Sequence, residues 1–240
     1  MTPQHEKTFS EIVEQIITSL ILIRTQHQNP HTVKLATHIK FSASSNVKSK
    51  SNDCAYQPDS QFRLKNPPVM EKYPGIAIEV GWTQPWAGKK GLEKKMGKLL
   101  EVPGGKTRAV IGVKLGETAS GDLKMSLSFW RYVTSRGSDS AWDRVWDRVR
   151  IVPDEKQILR LTLGDFIGPD DYAERFPGAD LNTEIPILFQ LVFEEAKEGF
   201  ELWKQEREEV QESKEVQERK EVQERKEVQE SKEVQESKEV

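Results

Sequence analysis

One acidic residue inside an apolar run constrains this chain more than any other feature. The segment Ile76-Ala77-Ile78-Glu79-Val80-Gly81-Trp82 has the make-up of a buried strand, and it is the strongest strand signal in the sequence. Side chains alternate along a strand, so Ile76, Ile78, Val80 and Trp82 share one face while Ala77, Glu79 and Gly81 share the other. Burying a carboxylate costs several kcal/mol unless it is paired or binds a cation. Glu79 is therefore expected to be either salt-bridged or a metal ligand. Asp59 follows Pro58 at the start of an extended segment and is the obvious second carboxylate. Two carboxylates on neighbouring strands would make a hard oxygen site suited to Mg²⁺.

The remaining periodicity predicts an α/β (α+β) domain with a mixed central sheet flanked by helices. Phe9, Ile12, Val13, Ile16, Ile17, Leu20 and Ile23 recur at spacings of three and four, which predicts a first helix with one buried stripe. Thr8 and Glu11 fit a capping box at its start, and Glu14 points away from the stripe as a solvated acid. Strands are expected over 32–42, 57–63, 75–83, 107–115, 123–133 and 156–166. The stripe Leu92, Met96, Leu99 and Leu100 predicts a helix between the third and fourth of these. Trp142-Asp143-Arg144-Val145 is repeated at once as Trp146-Asp147-Arg148-Val149, and reads as one helical turn copied once rather than a nucleic-acid-stacking platform. Gly168-Pro169-Asp170 reads as a turn and 187–203 as a final helix.

From Glu209 onward the chain repeats Glu-Val-Gln-Glu-Ser/Arg-Lys with a period of six. On an α-helix each successive valine turns by about 240°, so Val210, Val216 and Val222 spread around the circumference and form no coiled-coil seam. Pairs such as Glu215 with Arg219 support an isolated solvated helix. A domain over 1–205 and a helical or disordered charged tail over 206–240 are expected. Residues 209–240 carry −4 against a total charge of −3, leaving residues 1–208 at +1, which neither predicts nor forbids a polyanionic partner. Cys54 stands alone, so no intramolecular disulfide framework is possible. The opening residues show no signal-peptide pattern, and the longest apolar stretch, Leu20-Ile21-Leu22-Ile23, is too short to cross a bilayer. The expectation is an intracellular protein, cytoplasmic or nuclear, with no membrane partner.

Pro58-Asp59, Phe62-Arg63, Tyr73-Pro74-Gly75 running into Glu79, the helix from Leu92, the strand Val110 to Lys114 and Leu127 to Arg131 together resemble the PD-(D/E)XK nuclease superfamily. The likeness is to the restriction-endonuclease-like group common in fungal genomes, and it spans roughly residues 50–132. It implies phosphodiester hydrolysis in DNA, with Asp59 and Glu79 holding Mg²⁺. The usual third member is a lysine two residues after the glutamate, and Gly81 stands there. Two replacements are available. Lys95 lies beside the apolar stripe of the following helix, whereas Lys94 and Lys98 face solvent, and Gln84 lies just beyond the strand where it could orient water or contact phosphate. Lys95 also reads as a snorkelling surface lysine. Lys89, Lys90, Lys94, Lys95, Lys98 and Lys106 beside Trp82 and Trp86 suit nucleic-acid contact and equally suit a solvated helix face.

Other chemistries find no support. His5, His27, His31 and His38 lack zinc-ligand spacing with Cys54 and read as bland, and no Walker A loop, dinucleotide fingerprint or nucleophile elbow occurs. Three readings remain: a metal-dependent nuclease, an inactive nucleic-acid-binding or scaffold protein that keeps the fold, and an unrelated α+β fold in which the acids coincide by chance. A buried lysine or arginine paired with Glu79 would favour the second. An open pocket with both carboxylates in bridging distance of one ion would favour the first. A synthetic tail peptide is expected to show helicity by circular dichroism that does not change with concentration.

Overall fold

The computed structural model describes residues 2–43, 47–48, 55–65, 74–82, 84–88, 90–101, 107–133, 141–153 and 155–236. Cys54, Tyr73, Lys89 and Lys106 lie outside them. The chain opens with helix α1 (Pro3–Gln26) and α2 (Pro30–His38), then strands β1 (Ile39–Ala43), β2 (Val47–Lys48), β3 (Ala55–Tyr56), β4 (Ser60–Leu64) and β5 (Ile76–Gly81). Helix α3 (Leu92–Glu101) leads to β6 (Ala109–Glu117), β7 (Leu123–Val133), β8 (Ala141–Ile151) and β9 (Ile158–Thr162). A 3-10 turn (Leu163–Phe166), α4 (Pro169–Arg175), β10 (Glu184–Leu188) and α5 (Phe189–Glu236) complete it.

The mixed α/β class expected from the sequence is observed. Six strands form one sheet in the order β1-β4-β5-β6-β7-β8, with β5 and β6 parallel and the other neighbours antiparallel. A parallel pair needs a crossover, and α3 supplies it between β5 and β6. Ala77 and Val110 pack with Leu92, Met96, Leu99, Leu100 and Trp130 in one buried cluster, so α3 covers the sheet face that carries Glu79. Gly112 sits beside Glu79 in the β5–β6 register. A Cβ there would lie 2.3 Å from Met96 Sδ, so the missing side chain is what lets α3 settle onto the sheet.

Several local readings give way to tertiary structure. The segment read as one strand over 32–42 is α2 followed by β1. Asn29 caps α2 by accepting from the His31 and Thr32 amides, and Pro30 occupies the first helical turn, a start signal that outweighs the alternation. Thr8 is not a cap, because α1 begins at Pro3 and the Thr8 hydroxyl bonds back to the Gln4 carbonyl at 2.6 Å. Glu14 is exposed as expected. The predicted turn at Gly168-Pro169-Asp170 opens the short helix α4, and the final helix begins at Phe189 after β10 rather than at Ile187.

The tandem repeat at 142–149 is not a helical turn but edge strand β8. Tyr132 pairs with Trp142 and Trp130 with Arg144, whereas Phe129 pairs with Trp146, so Val145 is an extra residue in the ladder. The bulge sends the two tryptophans to opposite faces. Trp142 stacks on Trp130 at 4.4 Å and 1° on the α3 side, and Trp146 lies against Phe189 at 6.2 Å.

Residues Met1–Gly199 form one compact unit and Phe200–Val240 a second. Within the second, Val210, Val216 and Val222 are each about half exposed, as a six-residue period requires, and Arg219 pairs with Glu215 at 3.9 Å. Among the described residues no helix is long and apolar enough to cross a membrane. Filling the α3 seat is expected to destabilise the fold: Gly112→Ala should cost about 1–3 kcal/mol in urea unfolding, and Met96→Ala in the same chain should recover part of that loss.

Candidate functional site

Asp59, Glu79 and Lys95 are scattered over 36 positions of sequence yet are brought together by three elements. Glu79 projects from the middle of β5, and Asp59 stands one residue before β4, the antiparallel neighbour of β5. Oδ2 of Asp59 accepts a hydrogen bond of 2.7 Å from the Val80 amide, which fastens the acid of one strand to the backbone of the next. Lys95, on α3, places its Nζ against Oε2 of Glu79. The snorkelling alternative for Lys95 is therefore not what the fold adopts, although its side chain remains 33% exposed.

The environment drives the two carboxyls apart. Glu79 is fully buried, and its Oε1 has no hydrogen-bond partner among the described residues. Burial pushes its pKa from the ordinary 4.5 up to about 8; the Lys95 charge and hydrogen bond oppose this, and the Asp59 charge adds to it. Burial also acts to raise Asp59, but the His5 hydrogen bond, the Val80 amide and the His5 and Lys95 charges outweigh it and hold that carboxyl below its ordinary 3.8. At neutral pH Asp59 is thus ionised while Glu79 largely keeps its proton.

His5 is the residue that sequence reasoning missed. It was read as bland, yet its Nε2 lies 3.2 Å from Oδ2 of Asp59, with the two side chains only 14% and 16% exposed. No sequence signal marks it, because helix α1 reaches the site only through tertiary packing.

Gln84 comes close without joining the trio. Its Oε1 lies 3.8 Å from where a Cβ on Gly81 would be, so it lies beside the position at which the sequence resemblance implies a lysine, but its amide donates to the Lys90 carbonyl. A Cβ on Gly81 would meet ordinary van der Waals contacts at 3.6–3.8 Å, so the absent lysine is not a steric necessity at that atom. Among the described residues of the basic group around α3, Lys90 and Lys94 are exposed, Lys98 is half-buried rather than solvent-facing, and Lys95 reaches Glu79.

Among the described residues no group of three or more His, Cys, Asp or Glu side chains is arranged to hold a metal ion. The two carboxylates fit Mg²⁺ in another way. Mg²⁺ is commonly held by one or two carboxylates, with water and phosphate oxygens completing its shell, and among the described residues Oε1 of Glu79 is buried with no hydrogen-bond partner. Because ligands must be deprotonated, a cation would displace the Glu79 proton. No family model, curated protein or solved structure matches the chain, so the reading of this site rests on its geometry.

The raised pKa of Glu79 has a defined consequence for stability. The native state binds this proton more tightly than the unfolded state, so stability falls as pH rises from about 4.5 to about 8 and the loss is complete above that. Glu79→Gln is expected to flatten this dependence, so that its urea midpoint gains on the wild type steadily between pH 5 and pH 9.

Proposed function

We propose that the chain is a metal-dependent nuclease of the PD-(D/E)XK kind that hydrolyses phosphodiester bonds in DNA, with Asp59 and Glu79 as metal ligands and Lys95 as the cationic third member. The observation that carries this reading is the meeting of Lys95 with Glu79 on the same face as the vacant lysine position at Gly81. An ammonium arriving from α3 replaces, in chemical kind, the one that the strand lacks.

A bound Mg²⁺ would supply polarisation of the phosphoryl group and a more acidic water. The chain's own groups have narrower tasks. Asp59 offers an ionised carboxylate fixed to the β5 backbone, and Lys95 brings positive charge to where negative charge would develop on phosphate. Its partial exposure leaves that ammonium open to solvent on one side, unlike a wholly internal ion pair.

The second reading, an inactive nucleic-acid-binding or scaffold protein, is favoured by the same contact seen differently. Glu79 is fully buried and its Oε2 is already met by the partly exposed Lys95 ammonium, which suits a site in which that contact has replaced the metal. Cleavage assays separate the two. With Mg²⁺ or Mn²⁺ and single- or double-stranded DNA, cleavage by the wild type is expected to vanish in Asp59→Ala and in Glu79→Ala. Lys95→Ala should lower kcat by about 10²–10³ with little change in KM. No cleavage by a folded wild type would leave the binding reading in place.

A further inference from the structure

Resting on that reading, we propose that His5 is the positioning residue of the site, holding Asp59 in the one orientation that leaves an oxygen free for a cation. The carboxylate of Asp59 is only 16% exposed, and its two polar contacts among the described residues fall on the same atom. Oδ2 accepts from the Val80 amide at 2.7 Å and lies 3.2 Å from His5 Nε2, and among the described residues Oδ1 makes no such contact. One donor alone would leave the carboxylate free to turn about its last torsion. Two donors from different directions, a strand amide and a helix side chain, fix it. A carboxylate can only accept, so the contact is attractive when the proton is on His5 Nε2.

The helix that carries His5 is itself held in place on either side of it. Gly199 of α5 allows the closest approach: a Cβ there would lie 2.6 Å from the Gln4 Cα. Two residues beyond His5, Lys7 pairs with Glu195 at 3.2 Å and with Glu198 at 3.0 Å. The imidazole packs edge-on against Phe9 at 5.9 Å, and among the described residues its buried Nδ1 has no hydrogen-bond partner, so Nε2 is the ring atom with a task. Partners that orient metal-binding groups in this way typically contribute about 10- to 100-fold to metal affinity.

The test uses the full chain and two readouts. Long-range ¹H–¹⁵N spectra without metal are expected to show His5 protonated at Nε2, a preference lost in Asp59→Ala. Titration with Mn²⁺, followed by electron paramagnetic resonance, is expected to show affinity falling about 10- to 100-fold in His5→Ala. His5→Gln, whose amide nitrogen can stand where Nε2 stands, should recover most of it, which a loss of folding or packing alone would not produce. A proton found only on Nδ1, or unchanged Mn²⁺ affinity in a folded His5→Ala, overturns the proposal. A wild type that binds no Mn²⁺ overturns the metal-site reading and this role with it, and Nε2 protonation would then report a structural bond alone.

Discussion

The structure turns on one electrostatic problem, a carboxylate placed in the dry centre of a sheet. Glu79 lies in a strand whose every residue is buried, where an unpaired charge would cost several kcal/mol. The fold answers in two ways at once. It lets the proton stay on through neutral pH, and it brings an ammonium to one oxygen from the covering helix. Neither answer satisfies the other oxygen, and that residual demand is what makes the spot chemically interesting rather than merely tolerated.

Getting the ammonium there depends on packing that has nothing to do with charge. Helix α3 is amphipathic, and its buried stripe seats against Ala77 and Val110. Gly112 admits the Met96 side chain, which fixes how closely and in what register the helix lies over β5 and β6. Lys95 then falls over Glu79 because it is adjacent to Met96 on the helix. Asp59, for its part, owes its orientation to the β4–β5 pairing through the Val80 amide and to the first turns of α1 through His5. Two helices far apart in sequence thus each contribute one side chain to a pair of acids displayed by neighbouring segments of the sheet.

Elsewhere the sheet edge shows how a sequence repeat can be used asymmetrically. The two copies of Trp-Asp-Arg-Val would present the same face of a regular strand, but the bulge at Val145 turns Trp146 over, and a second register irregularity between Trp146 and Val149 follows it. Trp142 extends the cluster under α3, and Arg144 lies over the Trp130 ring at 4.7 Å and is 3.9 Å from Glu93 of α3. Arg148, at φ 52°, reaches the same glutamate through its Nε at 2.7 Å. The repeat therefore serves the seating of α3 from the far edge of the sheet. A twofold stacking platform is not formed, since the two rings face opposite ways.

The sequence by itself determined what local periodicity and local chemistry can encode. Strand β7 was legible to the residue, β5 and α3 nearly so, and Asp59, Glu79 and Lys95 stood out because an acid in an apolar strand and a lysine beside an apolar stripe are anomalies within a few residues of chain. The exposed valines of the tail follow from a period of six on a helix of 3.6 residues per turn. Only tertiary structure decided the rest. Helix α2 won over a strand because its cap at Asn29 outweighs a weak alternation, and β8 became a strand because an open sheet edge beside β7 offered hydrogen bonds that an isolated helical turn lacks. His5 became a partner of Asp59 across more than fifty residues, and Lys95 met Glu79 across a helix–sheet interface. Such contacts are set by the seating of whole elements on one another, and no spacing along the chain records them.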